Sequence, residues 1–242
     1  MRRWWLALLV GVLAGAGVQA ESALPQHILL ASDVWEKDTE ADGTGLTWDI
    51  LRRVFEPAGV ELVIQSVPYT RSIGLVRQGE ADAWVGSYLH EVDSGVVYPR
   101  WHYDSDQVSA LGLSQRPAPT LASLASAQLV WLRGYAFQRY LPNLKHYREV
   151  RRDSDILRML QYKRADFYID AQDEIEKLLE GASDSTSFRI TPLISQPLYL
   201  GFADTSRGRA LALLYDQRMD VLVKNGSLRP LFTRWQQPYP FD

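Results

Sequence analysis

Apolar runs and helical stripes alternate along the chain. Residues 27–31 form a short apolar run that suits a buried strand, and the polar stretch after Ser32 and Asp33, with Gly43 and Gly45, reads as a loop. From Thr47 the apolar spacing turns helical: Leu51, Val54, Phe55 and Ala58 share one stripe, Thr47 is a candidate N-cap, and Pro57-Ala58-Gly59 ends the helix. Residues 60–67 alternate like a strand that Pro68 stops. A short helix is expected over 71–78 with Gly79 as its left-handed cap, and 83–85 reads as another strand. Strand, helix, strand, helix, strand in this order needs parallel pairing with crossover helices, so the predicted class is α/β. Further on, residues 114–120 form a turn-rich connector, 121–127 a short helix, and 128–132 and 167–169 two more strands.

Two windows of twelve residues repeat this local pattern. Residues 75–86 and 159–170 each read as a helix end, a polar turn, Ala-Asp and an apolar strand closed by a small or polar residue, Gly86 in one and Asp170 in the other. One such pair is weak as a repeat, because helix-turn-strand units look alike for physical reasons, but it suggests two α/β lobes. Asp82 and Asp166 recur at the turn and are expected to cap it through side-chain hydrogen bonds.

The first twenty residues stand apart from the rest. Arg2 and Arg3 precede an apolar run over 6–18, and Val18-Gln19-Ala20 supplies small residues for cleavage, so 1–20 is read as a secretory signal peptide. That run is shorter than the roughly 20 residues a membrane-spanning helix needs. Without the leader, the chain carries 24 Lys and Arg against 29 Asp and Glu, which argues against a nucleic-acid partner. The absence of Cys excludes a disulfide framework, a thiolate metal site, a catalytic thiol and lipid attachment through a Cys. The four His, at 27, 90, 102 and 146, lack metal-ligand spacing, so neither a metal nor another cofactor is expected.

The order of several motifs resembles family 3 of the bacterial extracellular solute-binding proteins. The resemblance rests on Gly45-Leu46-Thr47-Trp48-Asp49-Ile50, Pro68-Tyr69-Thr70-Arg71 and Gln78-Gly79-Glu80-Ala81-Asp82-Ala83 in the first half. In the second half its carriers are Arg133-Gly134-Tyr135, Arg164-Ala165-Asp166, Asn225-Gly226-Ser227-Leu228 and Arg234-Trp235. It implies the type II periplasmic binding protein fold, with two α/β lobes, a central cleft and a two-strand hinge. The first lobe would then be discontinuous, residues 21–104 with 200–242, and the second would hold 105–199, with crossings near 103–107 and 196–202.

Ligands of open α/β sheets bind at the carboxyl ends of strands. That rule selects Asp33 and Trp35 after the first strand, Ser87 and Tyr88 after the 83–85 strand, and Asp170 after 167–169. Gly134 and Tyr135, with Ala136, sit where a strand gives way to a helix, and their N–H groups could hold an anion. Trp35 and Tyr88 suit stacking on a ring or a cation, whereas Trp84, mid-strand, suits the core. Relatives that bind α-amino acids carry an Arg that clamps the ligand carboxylate, but Leu89-His90-Glu91-Val92-Asp93-Ser94 stands there without one. Arg71, Arg100, His90 and Arg133 are the candidate replacements; for Arg71, a solvent-exposed or ion-paired role explains the residue nearly as well. The family's acid for a ligand amine falls at Ala171, one residue after Asp170, with Asp173 as a substitute. The basic run over 145–152, broken by Glu149, reads as a solvated face.

The resemblance therefore implies a monomeric periplasmic receptor that closes on a small polar or aromatic, amino-acid-like solute and delivers it to an inner-membrane ABC permease. A sensor that docks on a membrane signalling partner is the alternative. An enzyme of the cyclohexadienyl dehydratase type is disfavoured by the missing Arg. No Gly-x-Ser-x-Gly elbow, His-Glu-x-x-His or phosphate loop is present either.

Overall fold

The computed structural model describes residues 24–152 and 154–242; the expected signal peptide lies outside them. Parallel strands β1 (His27–Ser32), β2 (Glu61–Ser66) and β3 (Ala83–Tyr88) are joined by helices α1 (Leu46–Phe55) and α2 (Tyr69–Arg77). Alternate side chains of these strands serve two separate apolar layers, as a period of two requires. Ile28 and Leu30 of β1 and Ala83 and Val85 of β3 pack with α1, while Ala31 and Trp84 pack with Tyr69, Leu75 and Val76 of α2. Helices α6 (Ser206–Lys224) and α7 (Arg229–Trp235) complete the α1 side through Leu211, Tyr215, Leu231 and Phe232.

The second half repeats the scheme. After β4 (Val96–Val97), β5 (Asp104–Leu113) and α3 (Leu121–Leu124) come β6 (Leu129–Leu132), β7 (Tyr147–Val150), α4 (Ile156–Gln161), β8 (Phe167–Ala171) and α5 (Gln172–Glu180). Strand β6 pairs in parallel with β7 and β8, as β1 does with β2 and β3. Trp131 and Ile169 face one layer, and Val130, Leu132 and Tyr168 face the other with Ile156 and Leu160 of α4.

One long strand, β9 (Phe188–Ala203), joins the two halves into a sheet of order β2-β1-β3-β9-β5-β8-β6-β7, with β4 beside β9. It runs antiparallel to β5 from Phe188 opposite Leu113 to Leu198 opposite Asp104, then continues beside β3 to Phe202 opposite Ala83. Leu198 is therefore flanked by Tyr88 on one side and Asp104 on the other. These two antiparallel strands carry the chain between two α/β lobes. Among the described residues, no helix is long and apolar enough to cross a membrane.

Three local expectations change. Helix α1 begins at Leu46 behind Gly45, whose φ of 130° brings its backbone against the Asp38 carbonyl, so Thr47 is a buried first-turn residue and not the cap. The end of α1 follows the expected punctuation, with a single 3-10 turn through Pro57 closed by Gly59 at φ 76°. Strand β3 extends through Tyr88, so Gly86, Ser87 and Tyr88 lie within it. Asp82 and Asp166 reach beyond their own turns. Asp82 accepts from Leu29 N–H at 2.8 Å and Asp166 from Gln128 N–H at 2.8 Å, and Arg207 and Arg116 respectively pair with them. Each carboxylate thus ties its turn to the neighbouring parallel strand.

Gly201 on β9 faces Trp84 on β3, and a methyl group there would enter the indole. Overpacking a fully buried ring costs about 1–3 kcal/mol. Gly201→Ala is expected to lose that much stability in urea denaturation, and wild-type stability would contradict this packing.

Candidate ligand-binding cleft

A cavity of about 630 Å³ lies where the carboxyl ends of β1, β3 and β8 meet β5 and β9. The two lobes and the linking strands all contribute to its wall, together with Gln236, Gln237 and Pro238 after α7. Trp35, Tyr69, Tyr88 and Tyr135 supply its aromatic surface. Trp35 meets Tyr69 edge-on with ring centres 5.9 Å apart, and Tyr69 meets Tyr135 of the opposite lobe in the same way at 5.4 Å. Gly86, at φ 87°, lies at an irregularity in the β3–β9 register and leaves room for the Trp35 ring above the strand. A bulge of this kind re-aims side chains beside a site.

Carboxylates dominate the polar lining: Asp38, Glu91, Asp104 and Asp106, then Asp170, Asp173, Glu174 and Glu176. No Lys, Arg or His stands among the described lining residues. Glu91 is 7% exposed, and its Oε2 accepts from Tyr69 Oη at 2.7 Å, Ser87 Oγ at 3.2 Å and Tyr88 N–H at 3.2 Å. Its Oε1 has no hydrogen-bond partner. Asp106 accepts from Tyr88 Oη at 2.8 Å, and Asp170 accepts from Tyr168 Oη and from Ala171 N–H at 2.9 Å.

Burial of charge without a cation raises the proton affinity of these groups. Burial lifts Glu91 to about 7 against the opposing hydrogen bonds from Tyr69, Tyr88 and Ser87 and the field of Arg139. Asp104 also rises to about 7, through burial and then the nearby Asp173, with the Ser105 N–H opposing. Asp170 reaches about 7 through burial and Glu174, opposed by Tyr168, Ala171 N–H and Arg152. Asp38 and Asp106 move in the same direction, by burial first and then by neighbouring carboxylates, Tyr88 opposing the rise of Asp106.

Ion pairs outside the cavity tie the lobes together. Arg152, in the turn after β7, pairs with Asp33 of the first lobe at 2.8 Å, donates to Tyr135 Oη at 3.1 Å and lies 3.8 Å from Glu174. Lys177 pairs with Glu36 at 3.1 Å, and Arg139 forms a two-pronged pair with Asp93 at 2.8 and 2.7 Å.

The residues selected from sequence therefore separate into groups. Trp35, Tyr88, Tyr135 and Asp170 line the cavity together, as does Asp173. Asp33 sits beside it, accepting from Tyr69 N–H at 3.3 Å and pairing with Arg152. Ser87 is buried behind the wall, where it holds Glu91. Gly134, at φ 93°, packs against Thr70 of the other lobe. Only a one-turn 3-10 helix, Phe137–Arg139, follows it, so the expected helix N-terminus for an anion is missing and Tyr135 contributes its ring and hydroxyl instead. Arg71 is exposed: α2 starts at Tyr69, which turns Tyr69 and Ser72 inward and Arg71 outward.

None of the candidate replacements for the absent Arg lines the cavity. Arg71, His90 and Arg133 are exposed, and Arg100 pairs with Asp220 on α6. Arg152, from the run read as a solvated face, is the cation at the mouth, and it is already engaged. Tyr69, Glu91, Asp38, Asp104 and Asp106 were not singled out from sequence as cavity residues. For Asp104 and Asp106 a signal existed, since positions two apart on a strand share a face.

No protein-family model matches the sequence, and no curated protein sequence matches it. Solved structures do. A substrate-binding protein of an amino acid ABC transporter superposes with a TM-score of 0.66 at 16% identity, covering 86% of this chain and 98% of that one. The chain has the fold of substrate-binding proteins. An L-arginine-bound substrate-binding protein of Streptococcus pneumoniae shares the fold (TM-score 0.65, 14% identity, 87% and 94% coverage). A histidine kinase sensor domain does so as well, with a TM-score of 0.70 at 15% identity and 87% and 96% coverage. The substrate-binding-protein fold thus serves both delivery and sensing among the structures it matches.

The raised carboxylates set a pH dependence. Between about pH 4 and 7 the folded cleft holds protons that the unfolded chain releases, so the stability due to Glu91, Asp104 and Asp170 falls as pH rises through that window. The ligand-free protein should melt at a higher temperature near about pH 5.5 than near about pH 8, and Glu91→Gln should shrink the difference. A melting temperature that climbs steadily to about pH 8 would contradict the assignment.

Proposed function

We propose that the protein is a periplasmic solute receptor that captures a small polar or aromatic solute in this cleft by closing its two lobes around it. The observation that carries the reading is the cavity itself, walled by both lobes, floored by the two linking strands and large enough for a small metabolite. Residues 21–104 with 200–242 form one lobe in this reading and 105–199 the other. Rotation about β5 and β9 is hinge closure of the kind such proteins use, and the pairs Arg152–Asp33, Lys177–Glu36 and Arg139–Asp93 break as the cleft opens. Exposed pairs contribute only about 0–1 kcal/mol each, so bound solute supplies most of the bias toward closure.

Residues 1–20 act as a cleaved signal peptide, and a membrane ABC permease takes the solute from the closed receptor. The chain works as a monomer and by binding, without converting its ligand. The fold shared with a histidine kinase sensor domain supports a second reading, in which the closed form docks on a membrane signalling partner.

A thermal-shift screen of amino acids, amines, aromatic acids and short peptides tests solute capture. A ligand at 100 times its Kd stabilises the folded state by about 2.7 kcal/mol, so a true solute raises the melting temperature clearly. Trp35→Ala should weaken that solute by about tenfold through loss of a ring face. No shift across the panel would contradict capture in this cleft, and unchanged affinity in Trp35→Ala would move the solute elsewhere.

A further inference from the structure

We propose that the solute is a di- or polyamine, an organic cation with several ammonium groups and no carboxylate. This rests on the receptor reading above and names the chemistry of its ligand. The polar lining is acidic on every side: Asp104 and Asp106 come from the linking strand β5, Glu91 from the bend after β3, and Asp170 and Glu174 from the β8–α5 junction. Among the described residues no cationic side chain enters the cavity, and Arg152 at its mouth is bound to Asp33 and Tyr135. A ligand carboxylate would find no free cation there and would be repelled by every lining carboxylate that is ionised, and like-charge juxtaposition costs several kcal/mol.

Glu91 gives a second, independent indication. It is more than nine-tenths buried on the cavity wall, with three donors on Oε2 and none on Oε1. A buried carboxylate oxygen without a donor is costly, so Glu91 is the wall carboxylate whose charge gains most from a cation brought into the cavity. The carboxylates are also dispersed. Among the described residues no three His, Asp or Glu side chains are placed to hold a metal ion, and positive charges spread along a longer molecule match the dispersed carboxylates better than a single point charge. Trp35, Tyr69, Tyr88 and Tyr135 offer ring faces and edges to ammonium groups and to the methylene chain between them.

Calorimetric titration with matched pairs tests the inference: putrescine against ornithine, cadaverine against lysine and agmatine against arginine, with spermidine as a longer amine. Each amine should bind at least about tenfold tighter than the amino acid that differs from it by one carboxylate. Glu91→Gln should weaken putrescine by about tenfold, and Asp106→Asn should do the same should the first variant fail to fold. Amino acids that bind as tightly as their amines, or binding confined to neutral or anionic solutes, would overturn the ligand class and leave solute capture standing. Amine affinity untouched by either folded variant would also overturn it. Failure of every amine and of the wider panel would overturn both.

Discussion

The antiparallel pairing of β5 with β9 is the constraint on which the cleft depends. Strand β9 pairs with β3 of one lobe and β5 along the other, so a single sheet passes through both halves and Leu198 sits at the join. Asp104 and Asp106 ride on the first residues of β5, directly at this crossing. The strands that link the lobes therefore also carry part of the cavity's charge. In the receptor reading, hinge closure and neutralisation of the cleft act on the same residues.

Retained protons and well-placed donors let the molecule tolerate so acidic an interior. Like charges withdrawn from water repel one another and lose hydration, and the protein answers by holding protons on Glu91, Asp104 and Asp170, whose titration moves to near 7. It also places donors deliberately. The hydroxyls of Tyr69, Tyr88 and Tyr168 each point at a carboxylate, and burial with neighbouring negative charge keeps all three phenols protonated. Tyrosines can hold a carboxylate in position without neutralising it, which Lys or Arg would do. The cations remain at the rim, in Arg152, Lys177 and Arg139, where they link lobe to lobe.

Much of the fold was legible in the sequence because it is locally encoded. The repeated windows 75–86 and 159–170 fall on α2–β3 and α4–β8, and the five-element rhythm of the first half is β1-α1-β2-α2-β3. The cavity was legible mainly where strand ends define it, at Trp35, Tyr88, Tyr135 and Asp170, with Asp173 just beyond the last of them. Glu91 was not, because its bend reads as a polar turn and Tyr69, which holds it, comes from α2, 22 residues away. Arg152 was hidden similarly, since its partner Asp33 is 119 residues away in the chain. Strand β9 carries Pro192 and Pro197, and its continuous apolar run covers only 198–203, so its full length emerges only from pairing with β5 and β3. For Arg71 the exposed alternative holds, because a helix that starts two residues earlier turns Tyr69 and Ser72 inward in its place.

In the amine-receptor reading, protons on the cleft carboxylates take the electrostatic place of the ligand's ammonium groups. The most direct test of this claim is the number of protons exchanged when putrescine binds at about pH 7, obtained by calorimetry in buffers of different ionisation enthalpy. Carboxylates that titrate near 7 should give up protons as the diamine enters, so net release on the order of one proton per ligand is expected. Binding with no proton exchange, or with uptake, would contradict the claim.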